Sequence, residues 1–195
     1  MKNQAFTLIE VLIAVLIIGI LAAIAVPQYQ KAVAKSKASQ LRTLLSSVGK
    51  SFDMYYLANG EYPSSLDELD LNINLPITNG LTARQNVTCG KDIGALSYQL
   101  GDDFEIALYN RDNYYMLSAH FTNGKYKCRG FVYYPKGLGG WGGYDGYLEL
   151  DGYTYCGEHY YGRACGTGGC ERGLFCQDVM GMTYIKYRTF MNVFK

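Results

Sequence analysis

The chain has 195 residues, which is enough for about one globular domain beside a long helix. Its 18 basic and 17 acidic side chains give a formal net charge of +1, which argues against a strongly basic nucleic-acid-binding surface and against a polyacidic tail. Tyrosine (19) and glycine (23) are abundant while proline (4) is scarce, a composition typical of half-buried strands joined by tight turns rather than of a disordered chain.

An apolar run over residues 6–26 is the first element along the chain. As a helix rising about 1.5 Å per residue, it is long enough to cross the ~30 Å hydrocarbon core of a membrane. A secretory signal peptide is the alternative, because Lys2 supplies a positive start and residues 23–25 have the small-residue pattern of a cleavage site. The run is longer than the usual hydrophobic region of a signal peptide, however, and it contains Glu10.

Glu10 is a carboxylate inside this apolar run. A charged side chain at the centre of a bilayer costs about 2.5–3.5 kcal/mol or more, so the residue points to a function and needs a partner. No Lys, Arg or His lies in residues 6–26, so a charged partner must come from elsewhere. Cleavage before Phe6 would create an α-amino group that a neighbouring copy places against Glu10. In a dry bundle of helices, this ion pair would fix the axial stagger between subunits.

The motif AFTLIE (residues 5–10), followed by the apolar run, resembles the amino-terminal signature of type IV prepilins and type II secretion pseudopilins. The resemblance implies that residues 1–5 are a leader peptide, which a prepilin peptidase removes by cutting between Ala5 and Phe6. It also implies that Phe6 is the N-methylated mature terminus and that Glu10 is the assembly carboxylate.

Two further residues match the family helix. Gly19 and Pro27 stand where that helix has its helix-breaking residues, between which the backbone loosens in a filament. Each weakens a helix for its own reason, glycine through backbone entropy and proline through a missing donor and a ring clash.

The chain departs from the family pattern at the leader. Ala5 stands where the family nearly always has glycine, so processing is either slower or tolerant of alanine. Lys2 is the one basic residue of the leader, and by the positive-inside rule alone the basic residues that follow the span favour the opposite orientation. We adopt the family orientation, with the amino terminus cytoplasmic and the head periplasmic, because the cysteines also require export. The basic residues after the span are Lys31, Lys35, Lys37 and Arg42.

Residues 27–59 are predicted to form the amphipathic half of the same helix. Apolar residues recur there at spacings of three and four, which indicates one stripe that packs on another element. An ordinary membrane-anchored helix would show the same stripe, and Asn59-Gly60 is suited to a helix C-cap. The stripe comprises Leu41, Leu44, Leu45, Val48, Phe52, Tyr55 and Tyr56.

The remainder, residues 60–195, is predicted to be a globular head. Ser65-x-x-Glu68 is a capping box that predicts a short helix before a loop reaching to about residue 94. Four segments rich in β-forming residues follow, with Asn123-Gly124 as a hairpin signal. A long helix packed on such an antiparallel sheet is the pilin architecture, so the expected fold class is α+β, pilin-like. The predicted strands are residues 96–100, 104–109, 114–121 and 126–134.

The region 135–195 is rich in glycine, tyrosine and cysteine, and the resemblance implies that it is a disulfide-rich loop region. Six cysteines, an even number outside the apolar run, favour disulfides in an oxidising compartment. Zinc is the alternative, since three of them lie near His159, but no C-x-x-C pair is present. The predicted pairing is Cys89 with Cys128, and Cys156, Cys165, Cys170 and Cys176 among themselves.

The sequence gives little support for a dinucleotide site, a catalytic site or a calcium site. The glycines at 137, 139 and 142 match a dinucleotide fingerprint, but no helix start follows them. His120 and His159 have no identifiable catalytic partners. A calcium site at Asp145, Glu149 and Asp151 lacks the EF-hand spacing. We therefore predict no cofactor, no metal and no enzymatic activity.

Three functions are consistent with these features. The first is a structural subunit of a type IV pilus, serving adhesion, motility or DNA uptake; the others are a type II secretion pseudopilin and a monomeric membrane-anchored binding domain. The resemblance implies as partners copies of the chain and other pilins, the prepilin peptidase, an inner-membrane assembly platform and, before assembly, membrane lipid. It places the chain first in a bacterial inner membrane and then in a surface pilus or a periplasmic pseudopilus. No specific nucleic acid is predicted.

Overall fold

The computed structural model of the protein describes residues 7–71, 97–100, 103–111, 114–135, 154–159, 173–188 and 191–194. The chain divides into two compact units, Met1–Lys37 and Ala38–Lys195. The long helix α1 (Leu8–Asn59) is the first element of the structure.

The amino-terminal unit consists of the apolar part of α1. Every side chain in residues 7–33 is exposed, including Leu8 (81%) and Ile24 (65%). By its length and composition, α1 is long and apolar enough to cross a membrane. A contiguous exposed apolar surface of this size is typical of a segment that contacts lipid or other chains.

Within its described residues, the second unit contains a seven-stranded antiparallel sheet with the strand order β1-β2-β3-β4-β5-β7-β6. The first four strands form a meander of neighbours in sequence, and the order inverts at the far edge, where β7 lies between β5 and β6. The strands are β1 (Ser97–Leu100), β2 (Phe104–Arg111), β3 (Tyr114–Phe121), β4 (Arg129–Tyr133), β5 (Thr154–His159), β6 (Tyr184–Arg188) and β7 (Met191–Phe194).

The α+β, pilin-like fold predicted from the sequence is confirmed. The four predicted strands correspond to β1–β4, and the long amino-terminal helix is present. The sheet is larger than predicted, because β5, β6 and β7 come from the region that the sequence assigned to loops. These three strands continue the same sheet beyond β4.

The carboxy-terminal part of α1 packs on the sheet through the predicted apolar stripe. Leu41, Leu45, Val48 and Phe52 are all 0% exposed, at spacings of four, three and four residues. The ring of Phe52 stacks on Tyr62 at a centroid distance of 4.9 Å and packs against a tyrosine of β3, Tyr115, at 5.6 Å.

A polar contact joins the same helix to β4. The hydroxyl of Tyr133 donates a hydrogen bond to the carboxylate of Asp53 on α1. Burial, together with this bond to a carboxylate, raises the pKa of Tyr133 well above its ordinary value, so the phenol stays protonated and remains a donor. The helix is therefore held to the sheet by both apolar and hydrogen-bonded contacts.

The end of α1 matches the predicted C-cap. Gly60 has a positive φ of 76°, the conformation that glycine adopts most easily, and its N–H donates to the Tyr56 carbonyl at 2.8 Å. The predicted short helix is a single 3-10 turn, Leu66–Glu68.

The predicted capping box at this turn has one additional member. Ser65 caps the turn by accepting the N–H of Asp67 at 3.2 Å, as an N-cap residue does. Glu68, however, reaches back to Ser64, whose N–H and hydroxyl both donate to its carboxylate. The Ser64 hydroxyl is the largest cause that lowers the pKa of Glu68 below its ordinary value. The Ser65 backbone also contributes to lowering this pKa, so Ser64 is an additional donor to the predicted box.

We expect Phe52→Ala to destabilise the second unit by about 3–5 kcal/mol, because it removes a fully buried ring and leaves a cavity between helix and sheet. Leu57→Ala is the matched control, since Leu57 lies on the same helix but is 82% exposed and should change stability by less than about 0.5 kcal/mol. Urea unfolding of the two variants followed by circular dichroism measures both effects. Equal losses of stability would contradict the packing described above.

Candidate functional site

The start of α1 is built around Thr7 and Glu10. The hydroxyl oxygen of Thr7 accepts the backbone N–H of Glu10 at 3.3 Å. In return, the Glu10 carboxylate accepts the backbone N–H of Thr7 at 2.8 Å and its hydroxyl at 2.7 Å. This reciprocal arrangement is a capping box, which satisfies amide donors that the first turn of a helix otherwise leaves unpaired.

The capping box gives Glu10 hydrogen-bond partners within its own chain. From the sequence, the partner of Glu10 was expected outside the segment, whereas the structure supplies two neutral donors from Thr7 in the same chain. Both donors bind one carboxylate oxygen, Oε2, and neither neutralises the charge of the group. The T-x-x-E spacing of Thr7 and Glu10 is the sequence signal for this capping box. A positive charge from another group is therefore still required if the segment enters an apolar environment.

The other residues expected near this end divide into two groups. Ala5 and Phe6 lie outside the described residues. Gly19 and Pro27 both lie within α1, which continues through them to Asn59. A Cβ added at Gly19 would meet no atom within 4 Å. Loosening of the helix between Gly19 and Pro27 in a filament remains a prediction.

The cysteines were the second set of candidate residues. Cys156 on β5 is joined to Cys176 by a disulfide, with 5.8 Å between the Cα atoms. Cys156 is therefore not available to the zinc set that the sequence also permitted. Cys128 is disulfide-bonded as well, and within the described ranges no cysteine is free. The predicted Cys89–Cys128 pair and the pairing of Cys165 and Cys170 involve cysteines that lie outside those ranges.

The structure brings together a polar set that the sequence did not predict. Glu105 on β2 lies directly opposite His120 on β3, and Ser118 points to the same face two residues earlier. All three residues are 0% exposed. Because solvent does not reach these side chains, a substrate does not reach them in this structure either, and we assign them to the interior of the second unit.

The structure adds no support for the metal and dinucleotide sites considered from the sequence. In the part of the chain that the structure describes, no group of three or more His, Cys, Asp or Glu side chains is placed to hold a metal ion. The proposed calcium residues Asp145, Glu149 and Asp151 and the glycines at 137, 139 and 142 lie outside that part. The capped start of α1 and its exposed apolar surface are thus the candidate functional site.

Comparison with known families finds a match at the amino terminus of the chain. The family model described as the prokaryotic N-terminal methylation motif matches residues 1–26. This match covers the predicted leader and the apolar run, and it includes both Thr7 and Glu10.

Comparison with curated proteins gives relatives of two kinds. Fimbrial protein Q of Moraxella bovis is 35% identical over 127 residues, which is 63% of this chain and 80% of the relative. The type II secretion system core protein G of Pseudomonas aeruginosa is 35% identical over 78 residues, 40% of this chain and 55% of the relative. The type IV major pilin protein PilA of Myxococcus xanthus is 40% identical over 68 residues, 35% of this chain and 31% of the relative.

The extent of these matches differs. A match of 127 residues is longer than the 52 residues of α1, so the similarity to Fimbrial protein Q continues beyond the helix. The chain spans about half or less of the length of the other two relatives. No solved structure matches the chain.

Proposed function

Because the chain belongs to the type IV pilin family, we propose that it is a structural subunit of a type IV pilus or a closely related filament. The observation that carries this proposal is the exposed apolar surface of α1 over residues 8–26, which contains the capped Glu10. A surface of this kind needs an apolar environment along its whole length. Lipid supplies that environment before assembly, and neighbouring copies of the helix supply it in the filament.

Proteolytic processing prepares the amino terminus for the move from lipid into the filament. We propose that a prepilin peptidase removes residues 1–5 by cutting between Ala5 and Phe6 and that Phe6 is then N-methylated. The methylated amine stays positively charged, and it is the positive charge that Glu10 lacks in the described residues. Pairing of Glu10 with the amine of a neighbouring copy removes an uncompensated charge from the apolar filament interior and sets the subunit stagger.

We assign the mature chain to three segments according to their place in the filament. Residues 6–26 form the membrane and filament-core segment, residues 27–59 the amphipathic half of the helix, and residues 60–195 the head. We place the amino terminus in the cytoplasm and the head in the periplasm of a bacterial inner membrane before assembly. An assembly platform in that membrane then moves the subunit into the filament, where copies of itself and other pilins are its neighbours.

A pseudopilin of a type II secretion system is the second candidate. The observation that favours it is the similarity to a core protein G, which is a component of such a system by its name. The greater coverage of a fimbrial protein favours the pilus. The two candidates share processing and polymerisation and differ in where the filament is found. A monomeric anchored domain, the third candidate, requires neither of these steps.

The proposal is tested by intact-mass analysis of the chain from native cells, taken from sheared surface fibres and separately from membranes. We expect the fibres to contain a chain that begins at N-methylated Phe6 and gains mass on reduction of its disulfides. Ala5→Gly is the matched variant and should give the same mature chain with less unprocessed precursor in the membrane. A processed chain confined to the periplasm would favour the pseudopilin. A chain that starts at Met1 or is cut after Ala25 would contradict the proposal.

A further inference from the structure

Glu158 on β5 binds a turn that is distant from it in sequence. Its side chain is 1% exposed, and its carboxylate accepts three backbone N–H groups. The donors are Gly173 at 2.6 Å, Phe175 at 2.7 Å and Cys176 at 2.8 Å. Charge-assisted hydrogen bonds of this length are the strong class of protein hydrogen bonds. One carboxylate thus holds the start of the turn 173–180 against the sheet.

The backbone of this turn explains why it needs an acceptor. Its later amides are paired inside the turn, with Asp178 donating to the Gly173 carbonyl at 2.9 Å and Val179 donating to the Phe175 carbonyl at 3.0 Å. The early amides have the position of the unpaired donors at a helix start, and an anionic side chain is the favoured acceptor there. Glu158 therefore acts as a cap supplied by another part of the chain.

The disulfide attaches the same turn to the same strand. Cys156 lies two residues before Glu158, so both side chains point to one face of β5. Cys176 is consequently held twice, at its side chain by Cys156 and at its backbone amide by Glu158. The ring of Phe175 adds an apolar anchor, packing against Phe121 at 5.4 Å.

The observed pairing is not the one that chain proximity favours. Cys156 and Cys176 are 20 residues apart, whereas Cys170 and Cys165 are both nearer to Cys176 in sequence. Loop-closure entropy alone favours the shorter loops. Six cysteines allow 15 complete pairings, so something in the fold must select this pair.

We propose that Glu158 directs the pairing of Cys156 with Cys176, by binding the amide of Cys176 before the disulfide forms, and that it holds the turn on β5 independently of the disulfide. Because the bound amide belongs to Cys176 itself, its thiol is brought to the face of β5 that carries Cys156. Glu158 is thus a positioning residue for oxidative folding, and it takes no part in bond formation.

The oxidation needs an external disulfide, which a thiol oxidoreductase or glutathione disulfide supplies. The thiolate of one cysteine attacks that disulfide, forms a mixed disulfide and displaces one thiol of the oxidant. The thiolate of the other cysteine then attacks the mixed disulfide and displaces the second thiol. The two cysteines lose two electrons to the oxidant, and their two protons end on the released thiols.

The first test measures the pairing directly. The full-length chain in detergent is reduced, unfolded and returned to folding conditions in glutathione buffers of graded redox ratio, and the bridges are mapped by proteolysis and mass spectrometry. Glu158→Gln and Glu158→Ala are compared with Asp178→Asn, which alters an exposed acid of the same turn. Since one charge-assisted hydrogen bond alone accounts for about a tenfold change, we expect the Glu158 variants to form the Cys156–Cys176 bridge at least about tenfold less favourably and to pair Cys176 elsewhere. Unchanged pairing in both variants would overturn the proposal.

The second test removes the disulfide and keeps the carboxylate. In the Cys156→Ser, Cys176→Ser double variant, we expect the amides of residues 173, 175 and 176 to remain protected from hydrogen exchange. In oxidised Glu158→Gln they should lose protection, while amides of β3 such as Leu117 serve as the reference for global folding. Loss of protection in the double variant would show that the disulfide alone holds the turn and would overturn the proposal. If the Glu158 variants also lose protection at Leu117, they are globally unfolded. The double variant alone then tests whether the turn stays on β5 without the disulfide.

Discussion

A Glu10→Gln chain is expected to enter the membrane and to keep the start of α1, yet to be absent from filaments. Glutamine at the third helical position still accepts from Thr7 through its amide oxygen, because a capping box accepts either glutamate or glutamine. The substitution therefore removes the negative charge and leaves the cap. If the carboxylate pairs with the amine of a neighbouring copy, its loss leaves that amine buried without a partner, at a cost of about 3–5 kcal/mol, or a depletion of more than about a hundredfold.

Thr7→Val is the complementary variant. It keeps the charge of Glu10 but removes the hydroxyl that accepts one amide and donates to the carboxylate. Loss of an N-cap side chain costs about 1 kcal/mol, so we expect a modest reduction in filament content. Glu61→Gln, which neutralises an exposed acid of the second unit, should change nothing.

The measurement for these variants is the ratio of the chain in sheared filaments to the chain in membranes, determined by quantitative mass spectrometry. Normal incorporation of Glu10→Gln would mean that the residue acts as a helix cap and not as an assembly charge. Depletion of Thr7→Val together with normal Glu10→Gln would assign assembly to the cap. Either result would remove the main support for the stagger mechanism but would leave the family membership intact.

The sheet shows which parts of a fold local sequence patterns encode. Strands β1–β4 pair with neighbours in sequence. The Asn123-Gly124 dipeptide indicates the hairpin between β3 and β4. In β5, by contrast, Gly157 interrupts a short run. In the sequence, Thr189 and Phe190 stand between the segments of β6 and β7, and neither is a typical turn residue. These strands are stabilised by their partners in the sheet, which a window of sequence does not contain.

The residues of the candidate site show the same difference between local contacts, which the sequence reveals, and long-range contacts, which it does not. Glu10 was identifiable because a carboxylate inside an apolar run is costly, and that cost is visible in the sequence alone. Its bonds to Thr7 are also local, at a spacing of three residues. Glu158 was not identifiable, because the amides it binds lie 15–18 residues away and contribute no side-chain signal. Backbone donors are the same in every sequence, so only the folded chain shows which of them need an acceptor.

Gly130→Ala is expected to prevent stable folding of the second unit. A Cβ at this position of β4 would lie 1.9 Å from the carbonyl oxygen of Ala119 on β3 and 2.8 Å from the Cα of His120. Both atoms belong to the backbone of a central strand, so no side chain can move aside to make room. The cost should exceed the ~1–3 kcal/mol typical of overpacking, and urea unfolding followed by circular dichroism measures it.

Gly124→Ala separates crowding from backbone strain in this test. Gly124 has a φ of 71° but open space around an added Cβ, so its substitution should cost only the ~1–2 kcal/mol of a left-handed residue. If Gly130→Ala costs no more than this control, β3 and β4 are not as closely spaced as described. The site at Thr7 and Glu10 is unchanged in the variant. We therefore expect Gly130→Ala chains to be cut before Phe6 and yet to be missing from filaments, because β4 carries the Tyr133 contact that holds α1 to the sheet.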